Sequence, residues 1–132
     1  PLLIDKPGKA VDAVRAFLDR GATHYSIKPT RMGLTEAEAV ADMVDAICIG
    51  TSAEAPLGAL VQMRLAAGLK RPETLISAEL DFHRELADGY LIEPLVLEGG
   101  RLHLPAGLNA AACVDWQKLG RLAHTHLALP DL

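Results

Sequence analysis

His24-Tyr25-Ser26-Ile27-Lys28-Pro29-Thr30-Arg31-Met32-Gly33-Leu34-Thr35-Glu36-Ala37-Glu38 decides the fold. Its first half reads as a strand that ends in a lysine. Its second half turns at once into a helix, with Thr35 and Glu38 spaced as a Ser/Thr-x-x-Glu capping box. A strand, a short loop and a helix in that order form the joint of a parallel α/β structure. The residue at the strand's carboxyl end, here Lys28, then stands at the mouth where α/β proteins bind ligands.

Working outward, the same alternation repeats. Leu2-Leu3-Ile4 is a short apolar run of the buried-strand kind, closed by Pro7-Gly8, which leaves Asp5 at a strand end. Over residues 9–20 the apolar Ala10, Val11, Val14, Phe17 and Leu18 recur at helical spacing, and Gly21 supplies a left-handed stop. The helix opened at Thr35 is expected to run to about Asp45, with a strand over 46–49 directly after it. Pro56 suits the first turn of the next helix, whose stripe is Leu57, Leu60, Val61 and Leu65 and whose end is Gly68. A fourth strand is expected within 74–81. Glu98-Gly99-Gly100 between the runs at 90–97 and 101–105 predicts an antiparallel hairpin, and a short helix is expected over 115–127.

Composition restricts what such a chain can do. Of its 132 residues 50% are hydrophobic and 23% charged, enough for a packed core. The net charge of -4 and the isoelectric point near 5.7 give no basic footprint, so neither nucleic acid nor an anionic membrane is an expected partner. Cys48 and Cys113 have neither metal-ligand nor disulfide spacing and read as reduced core residues. The apolar runs fall short of the roughly 20 residues that a membrane span needs. A soluble, cytoplasmic protein is the expectation. The five histidines are scattered and match no metal motif.

The Ile27-Lys28-Pro29-Thr30-Arg31-Met32-Gly33 run resembles the sixth barrel strand of the mandelate racemase and muconate lactonizing group of the enolase superfamily. Pro1-Leu2-Leu3-Ile4-Asp5 resembles that group's fifth strand, and Ile47-Cys48-Ile49-Gly50-Thr51-Ser52-Ala53-Glu54 its seventh. The likeness spans nearly the whole chain. It implies an α/β fold, the carboxyl-terminal half of a (β/α)₈ barrel: about four parallel βα units over residues 1–89, then a hairpin and tail over 90–132 that pack on the barrel or on a capping domain. A full barrel takes about 250 residues.

The resemblance also implies chemistry. Enolase-superfamily enzymes remove a proton next to a carboxylate and hold the ene-diolate on Mg²⁺, with Lys or His as base. Lys28 matches the base, against the alternative of a solvated strand-end lysine. Asp5 matches a metal ligand, against an ordinary strand-end carboxylate, and Lys6 stands where the group usually has Glu. Glu54 matches an acid that faces or supports the substrate carboxylate, with Thr51 and Ser52 in the same turn; it also suits the dipole of the helix after it. Glu79 and Asp81 resemble an acid pair that holds a substrate ammonium, of which Asp81 is the expected substrate contact, with a solvated strand end as the rival reading. The remaining metal ligands and a partner lysine lie on strands that this sequence does not contain. The expectation is thus a Mg²⁺-dependent racemase, epimerase, cycloisomerase or dehydratase acting on a small carboxylate, completed by a missing amino-terminal half or by homo-oligomerisation. The alternative is a non-catalytic half-barrel that serves assembly, since four parallel strands leave two open edges.

Overall fold

The computed structural model describes residues 2–3, 10–86, 89–104 and 109–123. Asp5, Lys6 and His124 onward lie outside the described residues. Four parallel strands form one sheet in sequential order: β1 (Leu2–Leu3), β2 (His24–Ile27), β3 (Ala46–Ile49) and β4 (Leu75–Ala78). Between them come α1 (Ala10–Leu18), the short α2 (Pro29–Met32), α3 (Leu34–Ala41) and α4 (Pro56–Ala67). The antiparallel pair β5 (Val96–Glu98) and β6 (Arg101–His103) comes next, then α5 (Trp116–Leu122).

The register between β2 and β3 sets Tyr25 beside Ile47 and Ile27 beside Ile49, with all four side chains buried. Val14 of α1, Val40 of α3 and Met63 and Leu65 of α4 complete one core with them, so these three helices pack against the same sheet face. Tyr25 brings a hydroxyl into this layer. It donates long hydrogen bonds of 3.5 Å to the carbonyls of Val14 and Ala22, and burial pushes its pKa up. Strand alternation sends Ser26, Cys48 and Ser77, a row in which Cys48 is in register with both serines, to the opposite face. There Ser26 and Cys48 are half-buried and Ser77 is exposed. Ile76 is the extra residue of a register shift in β4 and stands 58% exposed on the sheet's edge strand.

Several connections differ from their expected form. Pro29 opens a turn of its own, and Gly33, at φ 88°, bends the chain between α2 and α3. The second helix therefore starts at Leu34 with Gly33 as its N-cap, Thr35 falls inside the first turn, and the Thr35–Glu38 capping box does not form. That helix also ends at Ala41 rather than near Asp45. Its unwound last turn supplies the connection to β3, within which Val44 remains fully buried. The hairpin is shorter than the two apolar runs around it and turns on Gly99 and Gly100, both at positive φ as a two-residue primed turn requires. Gly21 takes its expected left-handed conformation.

One buried group in α4 was not legible in the sequence. Gln62 is fully buried, and neither its amide nitrogen nor its amide oxygen has a hydrogen-bond partner among the described residues. An unmade buried hydrogen bond costs about 1–3 kcal/mol. Gln62→Met, which keeps the length and removes the polar atoms, is therefore expected to raise the thermal unfolding midpoint. An unchanged or lower midpoint would mean that the amide is satisfied in solution.

Candidate functional site

The backbone ladder runs one step past the strands. Gly50 N–H donates to the Ile27 carbonyl and Glu79 N–H to the Ile49 carbonyl, both at 2.8 Å. Lys28, Gly50 and Glu79 thus sit side by side at the carboxyl ends of β2, β3 and β4. Gly50 is buried, and a Cβ there would lie 3.2 Å from Ser26 Oγ and 3.4 Å from Glu79 Oε2. The absent side chain leaves room between the lysine strand and the carboxylate strand. Lys28 is half-buried with extended backbone (φ -119°, ψ 92°), and no carboxylate among the described residues forms an ion pair with it.

Above this row, Glu54 is the hub of a network between two loops. Its Oε1 accepts from Thr30 Oγ1 and, at 2.8 Å, from Ser52 N–H. Its Oε2 accepts from Thr51 Oγ1 and, at 2.7 Å, from the same Ser52 N–H. Arg31 Nε donates to Ser52 Oγ at 3.1 Å, a second link between the loop after β2 and the loop after β3. Thr51 Oγ1 also accepts from the backbone N–H of Ala53 (3.0 Å) and Glu54 (3.3 Å). The loop so held contains Ala53 at φ 67°, a left-handed conformation that costs a non-glycine residue roughly 1–2 kcal/mol.

Helix α4 is shaped for this carboxylate. A Cβ on Gly58, in its first turn, would stand 2.6 Å from Glu54 Cβ and 2.9 Å from Glu54 Cγ. Only glycine lets the Glu54 stem cross there. Burial pushes the Glu54 pKa up, but the donors at Thr30, Thr51 and Ser52 outweigh it and hold the carboxyl below its ordinary value of 4.5. At neutral pH the group is therefore a fixed carboxylate, suited to accepting hydrogen bonds and unsuited to giving up a proton.

The structure brings Lys28, Thr51, Ser52 and Glu54 to one end of the sheet. Asp81, exposed at the start of a 3-10 turn (Phe82–Glu85), lines a cavity of about 660 Å³ with Met63 of α4 and Leu97, Arg101 and Leu102 of the hairpin. Glu79 reaches both that cavity and the row beside Gly50. Two participants were missed in the sequence. Thr30 lies 24 residues from Glu54, so no local pattern joins them, and Gly58 reads as an unexceptional helix glycine. Among the described residues, no three His, Cys, Asp or Glu side chains come together as metal ligands, and no helix is long and apolar enough to cross a membrane. No protein-family model matches the chain, and no curated protein sequence does either.

The depressed Glu54 pKa has a definite consequence for stability. A carboxyl lowered in the folded state stabilises the fold above its unfolded pKa, and the contribution is lost as pH falls through the folded value. The parent chain should therefore lose stability below about pH 4.5 more steeply than Glu54→Gln, which lacks the titrating group. Parallel slopes in pH-dependent urea unfolding would contradict the network.

Proposed function

We propose that the chain is the carboxyl-terminal half of a (β/α)₈ barrel enzyme of the enolase-superfamily type, which abstracts the proton α to the carboxylate of a small substrate with Lys28 as base. The observation that carries this reading is the row of Lys28, Gly50 and Glu79 at the carboxyl ends of adjacent parallel strands, with Gly50 leaving space between the two charged groups. Sequential strand order and three helices on one sheet face agree with half of such a barrel. The resemblance of the Lys28 and Glu54 segments to the sixth and seventh strands supplies the reaction class.

Lys28 lies on the same sheet face as Ser26, away from the apolar core, and its own backbone carbonyl holds the turn after it by accepting from Arg31 N–H at 2.9 Å and Met32 N–H at 3.3 Å. Pro29, buried at the first position of α2, fixes the chain direction directly after the lysine. Such a group can take a proton from a bound carbon acid if substrate and surroundings desolvate it. The reading includes Mg²⁺, whose chemistry is to stabilise the charge that develops on the substrate carboxylate. The described residues do not furnish its ligand set, so the ligands would come from Asp5 and from strands outside this chain.

A second reading, a non-catalytic half-barrel that serves assembly, is favoured by β4, an edge strand exposing Ile76. Both readings require a partner, whether the first-half strands or a second copy. The isolated chain is expected to dimerise, to associate with another chain or to aggregate, and light scattering reads this directly; a concentration-independent monomer with cooperative unfolding would count against both. The enzyme reading alone makes a kinetic demand. In the enzyme completed with its first-half strands, Lys28→Ala should slow solvent deuterium incorporation at the α-carbon by about 10²- to 10⁴-fold. Exchange at the parent rate would remove Lys28 as base.

A further inference from the structure

We propose that Glu54 is a positioning residue for Lys28 rather than a ligand of the substrate: its carboxylate fastens the loop that carries Lys28 to the loop after β3. The proposal rests on the reading of Lys28 as the reactive group, and its geometry stands independently. A carboxylate offers about four acceptor positions. Thr30, Thr51 and the doubly shared Ser52 N–H occupy both Glu54 oxygens. Little acceptor capacity is left for a ligand, and a ligand carboxylate would meet a like charge there.

What the clamp holds is the turn of Lys28. Thr30 is two residues from the lysine, and the turn between them is already closed by the Arg31 and Met32 amides on the Lys28 carbonyl. Pro29 within it is buried and has a fixed φ. A restraint at Thr30 is therefore passed to Lys28 with few free torsions between. The bond from Arg31 Nε to Ser52 Oγ acts in the same sense from the next residue. On the other side, the missing Gly58 Cβ lets the Glu54 stem lie against α4, and Ala53, the residue before Glu54, takes a left-handed conformation. Such a conformation persists where its surroundings over-determine it.

The test uses this chain and requires no turnover. Reductive ¹³C-methylation gives each lysine a resolved NMR signal, that of Lys28 being assigned by its loss in Lys28→Arg. Amide hydrogen exchange at Arg31 and Met32 reports on the turn. In Thr30→Val and in Glu54→Gln, exchange protection of those two amides should fall about tenfold or more, the scale of one lost hydrogen bond to a charged group. The Lys28 signal should move to the position of the solvent-exposed lysines. Thr30→Ser, which keeps the hydroxyl, should restore both, a rescue that loss of the threonine methyl alone would not give. Gly58→Ala, which displaces the Glu54 stem, should reproduce the loss while the amides of Tyr25 and Ile27 keep their protection. An unmoved Lys28 signal and parent-like protection in Thr30→Val and Glu54→Gln would overturn the proposal, as would a Thr30→Ser variant that behaves like Thr30→Val. If Lys28 then failed as a base, the clamp would stand; if the clamp failed, Lys28 could still be the base.

Discussion

The pairing of β2 with β3 organises most of the molecule. It aligns Tyr25 and Ile27 with Ile47 and Ile49 as a single buried layer, to which α1, α3 and α4 are apposed. Full burial of one such side chain contributes about 1.5–3 kcal/mol, so four of them hold the register firmly. Side chains alternate along a strand, and a slip by one residue would turn Ser26 and Lys28 into the helix layer and Tyr25 and Ile27 out of it. An unpaired charge in that layer costs far more than the slip could return. The position of the lysine at the strand end is thus a by-product of core packing, with no interaction of its own needed to put it there.

What core packing cannot fix is the course of the chain after the strand ends, and there polar chemistry takes over. The segment after β2 keeps Pro29 and Met32 in the core, but the loop over 50–55 after β3 has no apolar anchor comparable to Ile27 or Ile49, and Ala53 sits there in a disfavoured conformation. One carboxylate that accepts from two hydroxyls and a backbone amide replaces the missing anchor. Burial acts against the charge, yet several hydrogen bonds to an ionised acceptor are worth more than neutral ones, which is the balance expressed in the lowered Glu54 pKa. Sequence and geometry meet at Gly58, where a helix gives up the better propensity of alanine, about 1 kcal/mol, and so leaves passage for the Glu54 stem.

This division explains which features could be read from the sequence. Strands β2 and β3 follow from short apolar segments and helices α1 and α4 from apolar spacing near 3.6, and Gly21, Pro56 and the Gly99-Gly100 turn from local backbone preference. These causes act within a few residues. The separation of α2 from α3 also has a local cause, but two local signals competed: Pro29 and Gly33 prevailed over the Thr35–Glu38 box because Leu34 was already the first helical residue. The site was legible as a cluster at two strand ends, from Lys28 and the 51–54 turn. Its wiring was not, since Thr30 to Glu54 and Arg31 to Ser52 span 24 and 21 residues. Nor does the sequence announce that Asp81 faces the hairpin cavity while Glu79, two residues earlier, reaches Gly50.

The two faces of the sheet bear unequally on function. Parallel sheets are ordinarily covered on both faces, and here the helices of the core lie on one. Ser26, Cys48 and Ser77 line the other, with Lys28 at its end. A lysine in contact with water keeps its proton at neutral pH, and desolvation is one of the ways to change that. On the proposed reading, the layer that closes the sheet against its neighbours is therefore the same layer that would strip water from Lys28. Assembly and reactivity become one requirement, and the Glu54 clamp has its place in it: it holds the lysine turn in shape before the second layer arrives, so the partner need supply only cover and the missing ligands.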